Sequence, residues 1–260
     1  MDDVRAVLLD IDGVLTVSWE PIDGAVAAVQ ALRDAGLPLV LVTNTSSRTR
    51  AEIGELLTDA GFPVGADAVL TAAAATAAHL REHHPRARCT LLNSGDVTED
   101  LEGVTLVGTA DEPEVVVLGG AGPEFTYEAL NGVFGHLQRG AALVAFHRNL
   151  YWRTDRGLEL DTGALLLGLE RAADAEATIV GKPSAAFFAA ALEVAGVSAD
   201  HAVMVGDDVE ADVLGAQAAG ITGVLVRTGK FQESDEGGAH GERPHHVVDS
   251  VADLPGLLGL

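Results

Sequence analysis

Residues 8–15, LLDIDGVL, place Asp10 and Asp12 one residue apart at the end of an apolar run. Two like charges that close repel, and burying them costs several kcal/mol, on the order of what an uncompensated buried ion costs, unless a positive charge lies between them. Three other short segments carry residues able to supply or share that charge. VTNTSS offers the Thr43 hydroxyl and the Asn44 amide, GKPS offers the Lys182 ammonium, and GDDVEAD (206–212) offers Asp207, Asp208 and Asp212. Oxygen ligands of this kind suit a hard divalent cation, and a cation on Asp10, Asp12 and Asp207 reconciles the acidic pair. Aspartate is a competent nucleophile toward phosphorus. Phosphoryl transfer otherwise asks mainly for positioning and for neutralisation of the phosphoryl oxygens, which Mg²⁺, Lys182, Thr43 and backbone N–H groups near Asn44 can provide. Asp12 is placed to protonate a leaving oxygen and then to deprotonate water.

Bringing these segments together requires particular elements. AVLL (6–9) stops at Asp10, LVLV (39–42) at Thr43, ATIV (177–180) at Gly181-Lys182, and AVMV (202–205) at Gly206-Asp207. GVLV (223–226) follows as a further run. Unbroken runs rich in β-branched residues suit parallel strands buried on both faces. Helix-period stretches separate them, over about 24–35, 48–60, 184–195 and 210–219, the first two ending near Gly36 and Gly61. This alternation predicts an α/β fold with a doubly wound parallel sheet. Right-handed crossovers bring the carboxyl ends of such strands to one edge, where open α/β sheets bind ligands. The Gly-, Glu- and His-rich stretch 232–246 reads as a surface loop before a last strand, HVVD, and a terminal helix.

The four segments together resemble the haloacid dehalogenase (HAD) superfamily of aspartate-nucleophile phosphatases: LLDIDGVL its first motif, VTNTSS its second, GKPS its lysine motif and GDDVEAD its fourth. The VTN form is typical of the subfamily IIA branch with nitrophenylphosphatase-like and ribonucleotide-phosphatase-like members. FTYEAL (125–130), HRNLYWRTDRGLEL (147–160) and VRTGKF (226–231) look closest to the phospholysine phosphohistidine inorganic pyrophosphate phosphatases and their hydrolase-domain relatives. The resemblance implies a Rossmann-like core, Asp10 as nucleophile, Asp12 as acid/base, and Thr43, Asn44 and Lys182 as phosphate or substrate contacts. It also implies Mg²⁺ on Asp10, Asp207 and the main-chain carbonyl of Asp12, with Asp208 and Asp212 holding metal waters or orienting Lys182. Some animal members carry serine where this chain has Asp12, so their substrates do not transfer directly.

The stretch between the second motif and Lys182 is too long for one crossover. Residues 71–176 show their own pattern, with helices at 71–84, 126–138 and 163–172 and strands near 89–92, 104–107, 115–118 and 142–145. The expected organisation is therefore a core from 1–70 and 177–260 with an inserted α/β domain at 71–176. In the family that insertion is a large C2-type cap, which excludes water and contacts substrate. Within it His147, Arg148 and Arg153 are either substrate contacts or a solvated face, and GGAGPE (119–124) is a loop, too short for a dinucleotide fingerprint. Asp208 also suits a helix N-cap, and Thr43-Asn44 could serve the same purpose. His83, His84, His245 and His246 lack a third ligand at metal spacing and read as surface residues.

The expected activity is Mg²⁺-dependent hydrolysis of a small phosphorylated metabolite through an aspartyl-phosphate. The alternatives are phosphotransfer to another acceptor, as in a mutase, and a catalytically idle phosphate-binding or receiver-like protein. Receivers fit poorly, because they place the phosphoacceptor and the acidic pair on separate strands and have no inserted domain. Relatives are often homodimers. The chain has no run of about 18 apolar residues, its acidic start lacks a basic leader region, and Cys89 is its only cysteine, so a cytoplasmic protein without internal disulfides is expected.

A formal net charge of −23, from 39 acidic residues against 16 Lys plus Arg, disfavours nucleic acid and anionic membranes as partners. The same charge opposes compaction by self-repulsion, which salt relieves as the Debye length falls from about 10 Å at 0.1 M to about 3 Å at 1 M. The melting temperature is therefore expected to rise between 0.1 M and 2 M KCl, and with choline chloride as well. A melting temperature flat or falling in both salts would leave the acidity without a role in stability.

Overall fold

The structure is a computed structural model that describes residues 1, 3–154 and 157–260; side chains at 152–154 also lie outside the description. Contacts divide the chain into two units, one of 1–43, 50–70 and 182–260, the other of 44–49 and 71–181. The expected boundaries differ from these at two places, the short 44–49 segment and residues 177–181.

The first unit is built on a six-stranded sheet in the order His246–Val248, Thr222–Val226, Ala202–Gly206, Ala6–Asp10, Leu39–Thr43, Val69–Thr71. The pairings from His246–Val248 across to Leu39–Thr43 are parallel. Strand order reverses at Ala6–Asp10, so Asp10 ends the strand at the topological switch point, where a crevice opens at the carboxyl edge. Every residue of AVLLD and of AVMVG is buried, which explains why both runs are continuously apolar rather than alternating. Helix Ala25–Asp34 turns Ala25, Ala28, Val29 and Leu32 inward at helical spacing. The next helix, Arg50–Asp59, buries Ile53 and Leu57. Ala25, Val29, Leu32, Ile53 and Leu57 join Val7, Leu9, Val205 and Val224 in one core. Gly36 and Gly61 follow the two helices at φ of 77° and 91°, left-handed conformations that glycine adopts without a Cβ clash.

The second unit carries a five-stranded parallel sheet in the order Thr178–Ile179, Ala142–Ala145, Val115–Leu118, Arg88–Leu92, Thr105–Leu106. Helices Tyr127–Gln138 and Thr162–Ala173 contribute Val133, Leu137, Leu166 and Leu169 to its core. Thr126 and Asp161 cap them, accepting from the backbone N–H groups of Ala129 and Thr162.

The run ATIV corrects one expectation. It does not join the first sheet: Thr178 and Ile179 pair with Val144 and Ala145 of the second sheet. The hydrogen bond from Gly181 N–H to the Phe146 carbonyl continues that attachment up to the residue before Lys182. Continuous hydrophobicity reports a strand buried on both faces but not which of two sheets takes it. The pairing of Tyr151–Thr154 with Gly157–Leu160 is likewise absent from the expected elements. Among the described residues, no helix is long and apolar enough to cross a membrane.

Candidate active site

Each charged residue is held by the way its own element ends. The strand Ala6–Asp10 stops because Ile11 begins a tight turn: its carbonyl accepts from the N–H groups of Leu15 at 2.9 Å and Thr16 at 3.0 Å, and Gly13 adopts φ of 84°. This turn separates the two aspartates. Asp10 is buried at the strand end, whereas Asp12 lies in the turn with an exposed side chain. In a continuing strand, residues two apart would share a face; the turn breaks that rule.

Lys182 follows the second unit's last strand and precedes Pro183 through a cis peptide bond. Its side chain is only 3 % exposed, and its Nζ donates to Asp10 Oδ1 at 2.6 Å and pairs with Asp212 Oδ1 at 2.7 Å. The Val42 carbonyl lies 3.4 Å from the same nitrogen. Next to Val42, Thr43 is buried at the end of the neighbouring strand. Asn44 belongs to the second unit, where its side-chain oxygen crowds Gly181 so closely that a Cβ there would fall 2.6 Å from it.

The acidic fourth segment departs from the α-helix expected over 210–219. Val209–Leu214 forms a π-helix that gives way to a short α-helix at Gly215–Ala218. Wide turns of this type recur at functional sites. Asp208 caps the π-helix as expected, accepting from the N–H groups of Glu210 and Ala211 at 3.1 Å and 2.9 Å. Asp212 comes round to Lys182, and its Oδ2 accepts from the Asp208 N–H at 3.2 Å. Gly206 is required here, because a Cβ on it would fall 2.1 Å from that of Asp212.

Asp207 is gripped from both sides. Its Oδ2 accepts from the Lys230 N–H at 2.7 Å, and a Cβ on either Gly13 or Gly229 would lie about 2 Å from that oxygen. The Thr228 hydroxyl donates to the Gly13 carbonyl, tying the loop after strand Thr222–Val226 to the turn after Asp10. Asp207 Oδ1 is buried and has no hydrogen-bond partner among the described residues. A buried carboxylate oxygen left so is costly unless a cation meets it.

Asp10, Asp207 and Asp212 each offer an oxygen within 4.8 Å of the others, so a divalent cation fits this donor set. Asp212 joins the carboxylate cluster and pairs with Lys182, while the turn at Ile11 carries the Asp12 side chain outward. Residues the sequence left unassigned also belong to the site: Gly13, Thr228, Gly229 and the backbone of Lys230. Only the fold brings 226–231 beside residue 13, although GK at the end of a strand was a usable signal.

Burial raises the Asp10 carboxyl above its ordinary range, although the charge and hydrogen bond of Lys182 pull it back. Asp207 is raised well above that range by burial and by the neighbouring Asp10 and Asp212. Asp212 is raised to about 7 by burial and by Asp10, against the pull of Lys182. Burial would strip the proton from Lys182, but Asp10 and Asp212 outweigh it and the ammonium is held more firmly than usual.

The cap candidates fare differently. His147 is buried, not solvated, with Nε2 3.9 Å from Asp161 Oδ2. Arg148 grips Glu170 through two hydrogen bonds at 2.9 Å and 2.6 Å, a structural use. The side chain of Arg153 lies outside the described residues. His83 is exposed and stacks on His79, while His245 accepts from the Gly223 N–H at 3.2 Å.

Comparison with known proteins settles the family. Residues 7–106 match the family described as haloacid dehalogenase-like hydrolase, and residues 179–254 match a second HAD-like hydrolase family. A human protein named haloacid dehalogenase-like hydrolase domain-containing protein 2 is 37% identical over 90% of this chain and 88% of its own length. The chain belongs to the haloacid dehalogenase-like hydrolases. This hydrolase is also 38% identical to the phospholysine phosphohistidine inorganic pyrophosphate phosphatase of Xenopus laevis, over 90% of this chain and 87% of that protein. The p-nitrophenyl phosphatase of Archaeoglobus fulgidus superposes with a TM-score of 0.91 at 29% identity, covering 98% of this chain and 100% of the other. A glycerol phosphate phosphatase of Mycobacterium tuberculosis, solved with magnesium, superposes with a TM-score of 0.86 at 27% identity over 98% and 79%.

The raised carboxyls give a pH test of the cluster. With no cation bound, the folded hydrolase holds a proton on Asp212 between about pH 4 and pH 7, where the unfolded chain, with a carboxyl near 3.8, has lost it. That contribution to stability is complete below about pH 4 and disappears as pH rises through about 7. A divalent cation, which favours the ionised form of the whole cluster, should therefore raise the melting temperature more at pH 7.5 than at pH 5. Asp207→Asn should remove most of the gain at pH 7.5. An equal or larger gain at pH 5 would exclude these carboxylates as the cation site.

Proposed function

We propose that this hydrolase is a Mg²⁺-dependent phosphatase that cleaves a small phosphorylated metabolite through an aspartyl-phosphate on Asp10. The observation that carries the reading is the buried Asp10 carboxylate, 2.6 Å from an equally buried lysine and grouped with two further aspartates at the carboxyl edge of the sheet. The phosphatase names of its relatives and structural neighbours support it.

A Mg²⁺ held by the carboxylates of Asp10 and Asp207 and by the main-chain carbonyl of Asp12 would neutralise charge on the phosphoryl oxygens. The remaining roles fall to the chain. Asp10 stays ionised beside Lys182 and forms a bond from a carboxylate oxygen to phosphorus as the bond to the leaving oxygen breaks. Asp12, in its carboxylic acid form, gives its proton to that oxygen, and the exposed turn position leaves room for an alcohol to depart. Asp12, now a carboxylate, takes a proton from water as the water attacks phosphorus, releasing inorganic phosphate and free Asp10. Lys182 balances negative charge on Asp10 and on the phosphoryl group throughout, while Asp212 holds Lys182 in place. Thr43 and Asn44 remain candidate phosphate contacts at the strand end.

With 4-nitrophenyl phosphate as substrate, Asp10→Asn should abolish turnover while the protein still melts cooperatively. Asp12→Ala should slow turnover by about 10²–10⁴-fold, the usual worth of an acid/base. Chelator should silence the wild type, and Mg²⁺ or Mn²⁺ should restore it. Turnover by Asp10→Asn above a trace, or full activity in chelator, would contradict the proposal.

A further inference from the structure

Only two of the 16 basic residues are lysines, Lys182 and Lys230. The other basic positions are all arginine, yet both lysines stand at the aspartate cluster. A chain that uses arginine elsewhere thus places both of its long-stemmed ammonium charges at this one cluster.

The two lysines are held in opposite ways. Lys182 is buried and its ammonium is committed to Asp10 and Asp212. Lys230 has a side chain 56 % exposed, and its Nζ makes one ion pair at 3.6 Å, with Asp208 Oδ2. An exposed pair of that length is weak and exchanges with solvent, although Asp207, Asp10 and Asp212 also attract this ammonium. The backbone beneath it is fixed: the Lys230 N–H is bonded to Asp207, Gly229 packs against Gly13, and Thr228 is bonded to the Gly13 carbonyl. Lys230 is thus a cation on a long stem, its backbone anchored beside Asp207 and its side chain more than half exposed, with Asp208 alone in ion-pair range among the described residues. Asp10, Asp207, Asp208 and Asp212 outnumber the two lysines, and the whole molecule carries −23. An anionic substrate that brings a second negative group to such a site needs a further cation, and Lys182 is already committed to Asp10 and Asp212.

We propose that Lys230 is a specificity-determining residue that binds a second anionic group of the substrate, distinct from the phosphoryl group transferred to Asp10. The preferred substrates are then phosphorylated compounds that carry a carboxylate or a further phosphate, over esters with a neutral remainder. This inference rests on the phosphatase reading above.

The test compares phosphoglycolate with 2-hydroxyethyl phosphate, which are similar in size and differ by one negative charge, as competitors of 4-nitrophenyl phosphate hydrolysis in Mg²⁺. In the wild type the inhibition constant for phosphoglycolate should be about tenfold lower than that for 2-hydroxyethyl phosphate, the worth of a charge-assisted contact. In Lys230→Gln, which keeps the N–H bonded to Asp207, the ratio should fall to about twofold or less, and Lys230→Arg should retain most of it. The Mg²⁺ concentration for half-maximal activity separates this from an effect through the cation and should change far less than the ratio. If Lys230→Gln does not fold, a Lys230→Arg ratio equal to the wild type's supports the proposal and a ratio near one overturns it. A wild type that hydrolyses 4-nitrophenyl phosphate but binds the two competitors equally, or a ratio unchanged in Lys230→Gln, overturns this inference alone. A wild type inactive on 4-nitrophenyl phosphate overturns the phosphatase reading and this inference with it.

Discussion

One ammonium group organises the site. Lys182 Nζ lies within 2.7 Å of oxygens of both Asp10 and Asp212, and all three side chains are almost wholly buried. Removing one partner from such a group leaves an unpaired buried charge, which costs about 3–5 kcal/mol. The neighbouring geometry follows from keeping the group intact. Asp10 must end the central strand, Asp212 must come round on a widened helical turn, and Gly206 must lack a side chain so that Asp212 can approach. The charge is still not balanced. Asp207 adds a third carboxylate, with one oxygen buried and without a hydrogen-bond partner among the described residues, and the three form a donor set that a divalent cation fits.

The same group explains how the fold serves the chemistry. A nucleophilic carboxylate must remain ionised although burial drives it toward its neutral form, and Lys182 opposes that drive at Asp10. Because the strand stops at Asp10 and turns at Ile11, the acid/base candidate, Asp12, stands outside the buried group with its side chain exposed. One carboxylate is dry and paired and its neighbour is wet, so two aspartates one residue apart stand in different environments, as the proposed nucleophile and acid/base require. The loop carrying Thr228, Gly229 and Lys230 secures the other side by clamping Asp207 against Gly13.

Much of this was legible in the sequence because it is written locally. Continuous apolar runs ending in Asp10, Thr43 and Asp207 marked strand ends at one edge, and the glycines after the first two helices marked their ends. Asp208 was legible as a cap because its partners are two and three residues away. What escaped depends on contacts distant along the chain. ATIV pairs with the second sheet through Val144 and Ala145, a choice that hydrophobicity does not encode. The place of Asp212 depends on a six-residue π-helix, a widened turn too short to show a period of its own in the sequence. The clamp on Asp207 joins residues more than two hundred positions apart, so neither Gly13 nor Gly229 announces its purpose.

Trapping the covalent enzyme tests the central claim most directly. Asp12→Ala hydrolase in Mg²⁺ is mixed with radiolabelled 4-nitrophenyl phosphate, quenched in acid within one turnover and mapped by peptide mass spectrometry. Phosphoryl label on Asp10, appearing with the nitrophenol burst and chased into inorganic phosphate, is the predicted result. A nitrophenol burst without label on the protein, or label on any other residue, would contradict the assignment of Asp10 as the nucleophile.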